Sequence, residues 1–468
     1  MMVYQSHGVK LGCAVAREQR RVGLVRSIVY RIGAGITNRV QILGVGVRVV
    51  IIGAGLAGLA AAHYLVDAGV DVTVLERQPG PGLETSFGNG ALLHPSVVAP
   101  WNSPGITRLL LSQLCQSQPA LRIRASALPS LFGWGLRFLR DSTADKFFAN
   151  TLKNLRLALY SLDLMRAFRQ MPNFHFGSYT RGSLQIFRSE TAAERAQTWV
   201  EALVPHGLTY RCLQRDDVIQ LEPALEQIAS SIAAATHFPG DEGGDAYQFC
   251  DAMDRSLRER GAKLFYNVTC QRFLLESGCI SGVVDDRDRS FHADVYVLAA
   301  GSYSPALART ARVRLPVRPV KGYSITLPRG NRSSAPQIPV GDPALHIAVV
   351  PLGRDRIRVA GTAEFASYDA RIDPSRVANL MNMLRRLYPA FALTVPPGEI
   401  QPWTGFRPMS PDGVPIIGTT PVKNLFLNTG HGHFGWTVAA GSGKTVADII
   451  TQARPAIDPL PYSLSRFA

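Results

Sequence analysis

The stretch that decides the fold is "RVVIIGAGLAGLAAAHYLVDAGVDVTVLER", residues 48–77. Its apolar run Val49–Ile52 predicts a buried strand, and Gly53, Gly55 and Gly58 follow in a G-x-G-x-x-G spacing. In this spacing the first glycine permits a tight turn, the second lets the backbone approach a pyrophosphate, and the third lets the helix lie close to the strand. The phosphates then lie at a helix N-terminus, where free N–H groups and the helix dipole favour anions.

The same stretch contains the acidic residue that a bound nucleotide needs. A second predicted strand, Val70–Leu75, ends at Glu76, 18 residues after Gly58. This carboxylate can accept hydrogen bonds from ribose hydroxyls, and it would repel the 2′-phosphate of NADP, although Arg77 weakens the second argument. A lone G-x-G-x-x-G can be a turn that binds nothing, but here the strand, helix, second strand and acid agree. The predicted contacts with the cofactor in this stretch are Ile52, Gly53, Ala54, Gly55, Leu56, Ala57, Gly58, Glu76 and Arg77.

The rest of the chain favours FAD over NAD. A long irregular region follows Glu76, whereas an NAD dehydrogenase usually continues with regular βα units. Strands and a glycine-rich turn return only in residues 261–273, 291–304 and 424–450. This interruption suggests an extended cofactor that contacts several loops, as FAD would. The further predicted contacts are Thr85, Ser86, Asn89, Val268, Ala300, Gly301, Gly430, His431, Gly432, Phe434, Gly435, Trp436 and Thr437.

Residues 440–445, "AGSGKT", look like the end of a phosphate-binding P-loop. The P-loop motif needs a glycine five residues before Gly443, where Val438 stands, and a position between a strand and a helix. Because these residues fall inside a predicted helix, ATP binding is not expected.

Composition limits the other classes of function. Seven basic residues and one acidic residue in residues 1–47 give +6 of the formal charge of +15, and the remaining charge is scattered. No basic stripe is interleaved with aromatic residues, so nucleic-acid binding is not expected. The six cysteines form no C-x-x-C pair, which argues against a metal site or a redox dithiol and favours reduced thiols in the cytosol. No run of 18 apolar residues predicts a spanning helix.

The basic N-terminal extension, residues 1–46, is expected to lie outside the natural fold. It lacks the compact apolar region of a signal peptide, and the first predicted strand begins just after Val47. We expect an over-extended reading frame with a true start near Val47. Peptides from residues 1–46 in natively expressed protein would contradict this expectation.

Seven stretches together resemble the D-amino-acid dehydrogenase small-subunit family, which belongs to the group of glycine oxidase, sarcosine oxidase and D-amino-acid oxidase flavoproteins. They run in family order from about Val47 to about Ile450. The stretches are "RVVIIGAGLAG", "ETSFGNGALLHPSVVAPWNSPG", "FPGDEGGDAYQFC", "VRPVKGYSITLP", "RVAGTAEF", "WTGFRPMSPDGVPIIG" and "NLFLNTGHGHFGWTVAAGSGK".

The resemblance implies a Rossmann-type α/β domain that binds FAD beside an α+β substrate domain with an antiparallel sheet. Both domains are expected to be discontinuous. The FAD-binding domain is predicted in residues 47–135, 225–320 and 400–455, the substrate domain in 136–224 and 321–399, and a C-terminal tail in 456–468.

The resemblance also implies an activity. In such enzymes the flavin accepts a hydride from the α-carbon of a D-amino acid, and the imino acid then hydrolyses to a 2-oxo acid and ammonia. The electrons pass to a respiratory acceptor, which is a quinone or an electron carrier. The alternatives are an amino-acid oxidase of the glycine or sarcosine type that uses oxygen, a D-proline or D-hydroxyproline dehydrogenase, and a non-catalytic FAD-binding subunit.

Arg407 is the predicted anchor for the substrate carboxylate, because a planar guanidinium makes two parallel charge-assisted hydrogen bonds. Pro408 stiffens the chain after it, and the alternative is a structural arginine paired with Asp412 across a turn. Tyr323 is the second predicted catalytic residue, expected to line the cavity and donate a hydrogen bond, and the alternative is a packed tyrosine. Glu364 and Tyr368 are weaker candidates of the same kind.

The glycine-rich turn at residues 430–437 leads into a helix, so its N–H groups are expected to point at the flavin C2 carbonyl. His431 and His433 could act as bases, but a structural or flavin-contact role is preferred because hydride transfer needs no base. His94 lies where some relatives attach flavin covalently, and an unmodified loop histidine is expected.

Residues 105–140 combine leucines, aromatic residues and arginines with almost no acids. This composition could lie on an anionic membrane surface near a quinone, and the alternative, slightly favoured, is an ordinary covering segment of the substrate domain. The expected location is therefore cytoplasmic, with peripheral contact on the inner face of the cell membrane as an option. A hetero-oligomer is a further option.

Overall fold

The computed structural model describes residues 46–108, 121–124 and 127–468, together with the backbone alone of residues 26–31 and 37–42. The chain divides into two units, Met1–Gly46 and Val47–Ala468. Most of the predicted N-terminal extension lies outside the described residues. So do residues 109–120 and 125–126 of the segment predicted to contact a membrane or cover the substrate domain.

The strands and helices are numbered in chain order. The strands are β1 (Arg26–Arg31), β2 (Thr37–Ile42), β3 (Arg48–Ile52), β4 (Asp71–Leu75), β5 (Leu92–Leu93), β6 (Leu121–Ile123), β7 (Ser183–Phe187), β8 (Arg211–Leu213), β9 (Ala234–Phe238), β10 (Glu242–Gly243), β11 (Lys263–Phe265), β12 (Cys270–Glu276), β13 (Cys279–Asp285), β14 (Ser290–Phe291), β15 (Val295–Leu298), β16 (Arg318–Pro328), β17 (Val340–Asp342), β18 (Ile347–Leu352), β19 (Arg356–Phe365), β20 (Gln401–Met409), β21 (Ile416–Thr419) and β22 (Leu425–Thr429). The helices are α1 (Leu56–Asp67), α2 (Leu128–Arg140), α3 (Ala144–Gln170), α4 (Glu190–Glu201), α5 (Arg215–Leu221), α6 (Ala246–Glu259), α7 (Ser304–Thr310), α8 (Pro374–Leu387), α9 (Pro389–Leu393) and α10 (Gly435–Thr451).

In the first unit, β1 and β2 form an antiparallel pair. In the second unit, a six-stranded sheet has the order β11, β4, β3, β15, β22, β21, and every pair is parallel except β21 with β22. Because parallel strands end at the same edge, the turn after β3, the acid after β4 and the turn after β15 meet there. A smaller antiparallel sheet joins β12, β13 and β14.

Helices α1 and α10 pack closely against each other beside the parallel sheet, and small residues make this close packing possible. A Cβ atom on Gly443 would lie 2.6 Å from the Ala60 carbonyl carbon, so only glycine fits the crossing. The Asn428 side chain donates a hydrogen bond to the Ala57 carbonyl at 3.0 Å, which ties β22 to α1. The "AGSGKT" stretch therefore lies inside a helix, as predicted, and its glycine serves helix packing.

The larger antiparallel sheet has the order β20, β16, β19, β18, β17, β7, β9, β8, with β6 beside β19, and its pairs are antiparallel except β17 with β7 and β6 with β19. One face packs on α8 and α9, where Ile325 and Val349 of the sheet share a core with Leu380 and Leu384 of α8. The other face is lined by small residues and borders a cavity. On β18, for example, Val349 belongs to the core and its neighbour Ala348 lines the cavity.

The sequence located the elements of the nucleotide-binding stretch closely. The second strand begins at Asp71, one residue later than predicted, and residues 443–445 are helical. β9 and β20, which lie in segments predicted for the FAD-binding domain, pair within the larger antiparallel sheet, and the domain boundaries stay a prediction. No helix in the described ranges is long and apolar enough to cross a membrane.

Candidate active site

A cavity of about 1170 Å³ extends from the C-terminal edge of the parallel sheet to the small-residue face of the larger antiparallel sheet. Most predicted cofactor contacts line it, and the exceptions are Ala54, Gly58, Gly430 and Thr437. The predicted catalytic residues Arg407 and Tyr323 line the same cavity. Segments far apart in the sequence therefore meet at one site.

The nucleotide end of the cavity is built from the G-x-G-x-x-G turn. Gly53 has a φ of +108°, which L side chains rarely adopt, and a Cβ atom on Gly58 would overlap the Gly53 carbonyl oxygen. A Cβ atom on Gly55 would touch the Ser86 hydroxyl at 3.4 Å, and the Leu56 N–H donates to that hydroxyl at 3.3 Å. The turn thus leaves backbone exposed to the cavity, as a bound pyrophosphate requires.

Glu76 lies where the sequence predicts the ribose contact. Its carboxylate accepts hydrogen bonds from the Ala54 N–H at 2.7 Å and the Gln78 N–H at 2.9 Å. Burial raises the pKa of Glu76, while these backbone donors act in the opposite direction. Each carboxylate oxygen keeps a second lone pair for a ribose hydroxyl. Arg77 pairs with Glu84, and its guanidinium lies 3.6 Å from the centroid of the Tyr303 ring.

The C-terminal glycine-rich turn faces the cavity mainly through its backbone. Phe434 and Trp436 are both 1% exposed, and the Trp436 indole N–H donates to the Gly244 carbonyl at 3.3 Å. His431 Nε2 lies 3.1 Å from both the Asn428 side-chain oxygen and the Ser442 hydroxyl, which is a structural arrangement. The side chains thus fix the turn while α10 begins beside the cavity. The N–H groups of its first turn can bind the electron-rich edge of a flavin.

Arg407 projects from β20, not from a loop, and Pro408 is tolerated there because β20 is an edge strand. A Cβ atom on Gly322 of the neighbouring strand would overlap the Arg407 guanidinium, so a glycine is needed beneath it. The guanidinium donates to the Thr362 carbonyl at 3.4 Å. It lies 5.6 Å from the centroid of the Trp101 ring, which lines the same cavity.

The charge of Arg407 has no counter-ion among the residues that the structure describes. Within the described ranges, no carboxylate forms an ion pair with it, and burial lowers its pKa to about 10. Asp412, the alternative partner, instead binds Arg466 at 2.7 Å and 3.2 Å. A buried cation without a counter-ion is costly, so the site is complementary to an anionic ligand.

A β-bulge places the acceptor for Arg407. Gly322 pairs with Ala363 and Tyr323 with Gly361, so Thr362 is the extra residue on β19. Thr362 has a φ of +59°, a strained conformation for a β-branched residue, and its carbonyl is free to face Arg407. Strain of this kind concentrates at functional sites.

The Tyr323 hydroxyl is hydrogen-bonded to a buried carboxylate. It donates to Glu364 at 3.0 Å, and Arg124 donates to the other Glu364 oxygen at 2.5 Å. Burial raises the pKa of Tyr323, and the Glu364 carboxylate raises it further. Tyr323 therefore keeps its proton, and its ring belongs to the same buried core as Ile325 and Leu327, as in the packed alternative. Tyr368 is 46% exposed and donates to the Ser302 carbonyl at 2.7 Å, so it does not join Tyr323.

Several cavity residues were not predicted from the sequence. These are Trp101, Trp403, Gly322 and Thr362. Trp403 fits a slot in which a Cβ atom on Gly88 or Gly405 would overlap its indole. His433, for which the sequence favoured a structural or flavin-contact role over that of a base, stacks on Trp101 with ring centroids 5.4 Å apart, and burial lowers its pKa to about 3. Neighbouring glycines around an aromatic residue were the only local signal for such contacts.

Comparison with known proteins identifies the class to which this fold and site belong. The profile of the DAO family, described as FAD dependent oxidoreductase, matches residues 48–449. The chain belongs to this family, and its cofactor is FAD.

Two relatives are similar to this chain over most of its length. D-amino acid dehydrogenase from Methylobacterium nodulans is 40% identical over 420 residues, which cover 90% of this chain and 99% of that protein. D-amino acid dehydrogenase from Rhodopseudomonas palustris is 37% identical over 423 residues, or 90% and 98% of the two chains.

Solved structures support the fold alone. Glycine oxidase from Geobacillus kaustophilus superposes with a TM-score of 0.72 at 22% identity, covering 90% of this chain and 99% of that one. L-proline dehydrogenase from P. horikoshii gives a TM-score of 0.72 at 18% identity, covering 91% and 98%.

Proposed function

We propose that this enzyme catalyses the FAD-dependent oxidative deamination of D-amino acids to 2-oxo acids and ammonia, and passes the electrons to a respiratory acceptor. Its relatives at 40% and 37% identity are D-amino acid dehydrogenases. When bound, FAD supplies the acceptor for the hydride that leaves the α-carbon. The remaining tasks fall to side chains: binding the carboxylate, orienting the α-carbon and excluding water.

The single observation that carries the proposal is the unneutralised Arg407 in the cavity. An amino acid is a small molecule with a carboxylate, and a guanidinium binds that group through two parallel hydrogen bonds. The Thr362 carbonyl and the Gly322 surface hold the guanidinium in one orientation. When the carboxylate is fixed in this way, the α-carbon can move only a little. A fixed position of the α-carbon is the main requirement for hydride transfer from a bound substrate to a bound cofactor.

We further propose that Tyr323 is a packed tyrosine and does not contact the substrate. Its ring belongs to the same buried core as Ile325 and Leu327, beneath the sheet, and its hydroxyl donates to Glu364. Gly322, one residue earlier on β16, lies on the opposite face under Arg407. Arg407 is therefore the predicted catalytic residue whose side chain faces the substrate.

The products and the electron acceptor test this proposal. The FAD-loaded enzyme is incubated with D- and L-amino acids and a quinone analogue, and 2-oxo acid and ammonia are measured. We expect equal amounts of both products from D-amino acids only, with little hydrogen peroxide in air. Turnover restricted to L-amino acids would refute the D-amino acid assignment, and stoichiometric peroxide would make the enzyme an oxidase.

We also propose that α2 contacts an anionic membrane surface, where a quinone would accept the electrons. Trp134 packs inward, and its indole N–H donates to the Met409 carbonyl at 3.2 Å. The opposite face exposes Leu128, Phe132 and Leu136 at 55%, 74% and 56%. These residues repeat every four positions, and the last turn adds two arginines and no acid. A second subunit stays a prediction.

Vesicle sedimentation tests the contact. Replacing Leu128, Phe132 and Leu136 by serine should lower binding to phosphatidylglycerol vesicles at least about 30-fold, because each buried apolar side chain contributes roughly 1.5–3 kcal/mol. The matched control is Leu393→Ser, which changes a leucine that is 82% exposed elsewhere. Equal binding of the triple variant and the control would count against α2 as the membrane surface.

A further inference from the structure

The cavity continues past Arg407 to the hairpin of β17 and β18. Its floor there takes one residue from each of four neighbouring strands. Ala360 pairs with Ala348, Ala348 with Gly341, and Gly341 with Gln185, and all four residues line the cavity. Because neighbouring strands lie about 4.8 Å apart, this row extends roughly 14 Å from β19 to β7. Three small residues leave the volume above the floor open.

Gln185 closes the far end of this row. Its neighbours Leu184 and Ile186 belong to the core beneath the sheet, so Gln185 lies on the opposite face. A Cβ atom on Gly341 would lie 3.7 Å from the Gln185 Cγ atom, which places the side chain across β17 towards Ala348. The Gln185 carboxamide makes no hydrogen bond to any other residue in the described part of the chain.

Two other polar side chains at this end of the cavity already bind partners within the protein, and a third binds none among the described residues. The Ser183 hydroxyl donates to Asp241 at 2.6 Å, and Asp342 forms an ion pair with Arg188 at 2.7 Å. The His346 imidazole, by contrast, has no hydrogen-bond partner among the residues that the structure describes. His346 is an exposed residue, but its ring is partly desolvated in the cavity, which lowers its pKa below the usual value, so the ring is neutral near pH 7. Two uncharged polar groups, Gln185 and His346, are thus available to a ligand.

We propose that this end of the cavity, the side-chain subsite (Gln185, Gly341, His346, Ala348 and Ala360), binds a long, uncharged, hydrogen-bonding side chain of a D-amino acid, such as that of D-glutamine. The inference rests on the proposed function. Arg407 holds the carboxylate at one end, and the two free polar groups meet the tip of the side chain at the other.

The length and charge of the subsite support this class of side chain. The row of roughly 14 Å begins at β19, next to the strand whose Gly322 lies under Arg407, and the reach of Gln185 takes up only part of it, so room remains for an extended side chain of several atoms. In the described lining, the subsite offers a charged side chain no unpaired ion of opposite sign. Burying an uncompensated charge is costly, so lysine-like and glutamate-like side chains are disfavoured.

A substrate series on the FAD-loaded enzyme tests the inference. D-glutamine, D-methionine and D-glutamate have similar lengths and differ at the tip, while D-alanine leaves the subsite empty and D-lysine places a cation in it. We expect kcat/KM for D-glutamine to exceed that for D-glutamate and D-lysine at least about 10-fold. Equal or better turnover of either charged substrate would overturn the inference.

Two variants separate polarity from length. Gln185→Leu should lower the ratio of kcat/KM for D-glutamine over D-methionine about 5- to 10-fold, because one buried hydrogen bond is lost. Ala348→Leu should lower kcat/KM for both D-glutamine and D-methionine relative to that for D-alanine, because the larger side chain shortens the cavity. The control Gln197→Leu, on the exposed face of α4, should change neither ratio.

The outcomes distinguish the two proposals. Unchanged ratios in Gln185→Leu and Ala348→Leu, with turnover of D-alanine retained, would overturn the subsite alone. An enzyme that oxidises none of the D-amino acids would overturn the proposed function, and the subsite with it.

Discussion

Replacing Arg407 by methionine keeps an unbranched, flexible side chain and removes the charge for which the described residues offer no counter-ion. Removing one partner of a buried ion pair costs roughly 2–5 kcal/mol. The Kd for a D-amino acid should therefore rise roughly 30- to 5,000-fold. Because the nucleotide end of the cavity uses other residues, FAD binding should be unchanged.

The same variant should not destabilise the protein. Burial lowers the pKa of Arg407 from 12.5 to about 10, so the charged form costs the folded state free energy at every pH below about 10. This shift corresponds to at most about 3 kcal/mol, and water in the cavity reduces it to about 1 kcal/mol. Arg407→Met is thus expected to leave the melting temperature of the protein unchanged or raise it slightly.

A structural arginine would behave in the opposite way. Arg466 binds Asp412 and the Val414 carbonyl, each at 2.7 Å, so Arg466→Met should lower the melting temperature while substrate affinity falls little. The assay is anaerobic titration of flavin absorbance with substrate, beside thermal unfolding of both variants. Loss of FAD or of stability in Arg407→Met, with substrate affinity retained in the protein that folds, would refute the reasoning.

Three further changes test the geometry around the cavity. Gly58→Ala forces a methyl group into a backbone carbonyl, so the purified protein should lose most of its flavin absorbance, whereas Gly133→Ala, in open space, should keep it; equal flavin content would contradict the tight turn. Gly322→Ala should displace the Arg407 guanidinium and raise KM at least about 10-fold with FAD retained, and an unchanged KM would show that the guanidinium is not held there. Burial raises the pKa of Asp241 to about 6, so its ionised form destabilises the folded state above that pH and not below about 4. Asp241→Asn should therefore raise the free energy of unfolding by about 1–3 kcal/mol at pH 7 and by little at pH 4. A free energy of unfolding that rises at pH 4 and not at pH 7 would contradict this expectation.

Local sequence patterns predicted the strand, the glycine turn and the acid of the nucleotide end, because each of these features depends on nearby residues. A strand, three spaced glycines and an acid lie within 30 residues, and each needs only its neighbours to take up its role. The prediction that Arg407 is the anchor came from family resemblance, since no local pattern distinguishes an unpaired arginine from one that binds Asp412.

The substrate end was harder to predict because it depends on strand register. The bulge at Thr362 exists only when β19 pairs with β16, and Gly322 lies under the guanidinium only in the register of β16 with β20. The partner of Tyr323 is Glu364, 41 residues away, so the direction of its hydroxyl proton could not be read from "VKGYS". Contacts of this kind arise from the assembled sheet.

The measurement that tests the central claim most directly is the anaerobic reaction of the FAD-loaded enzyme with D-alanine and L-alanine, followed by flavin absorbance. We expect D-alanine to bleach the flavin and L-alanine to leave it oxidised. The D-alanine concentration for half-maximal bleaching should rise at least about 30-fold in Arg407→Met. Bleaching by L-alanine alone, or the same dependence on D-alanine in the variant and the natural enzyme, would contradict the assignment of this cavity as a D-amino acid site anchored by Arg407.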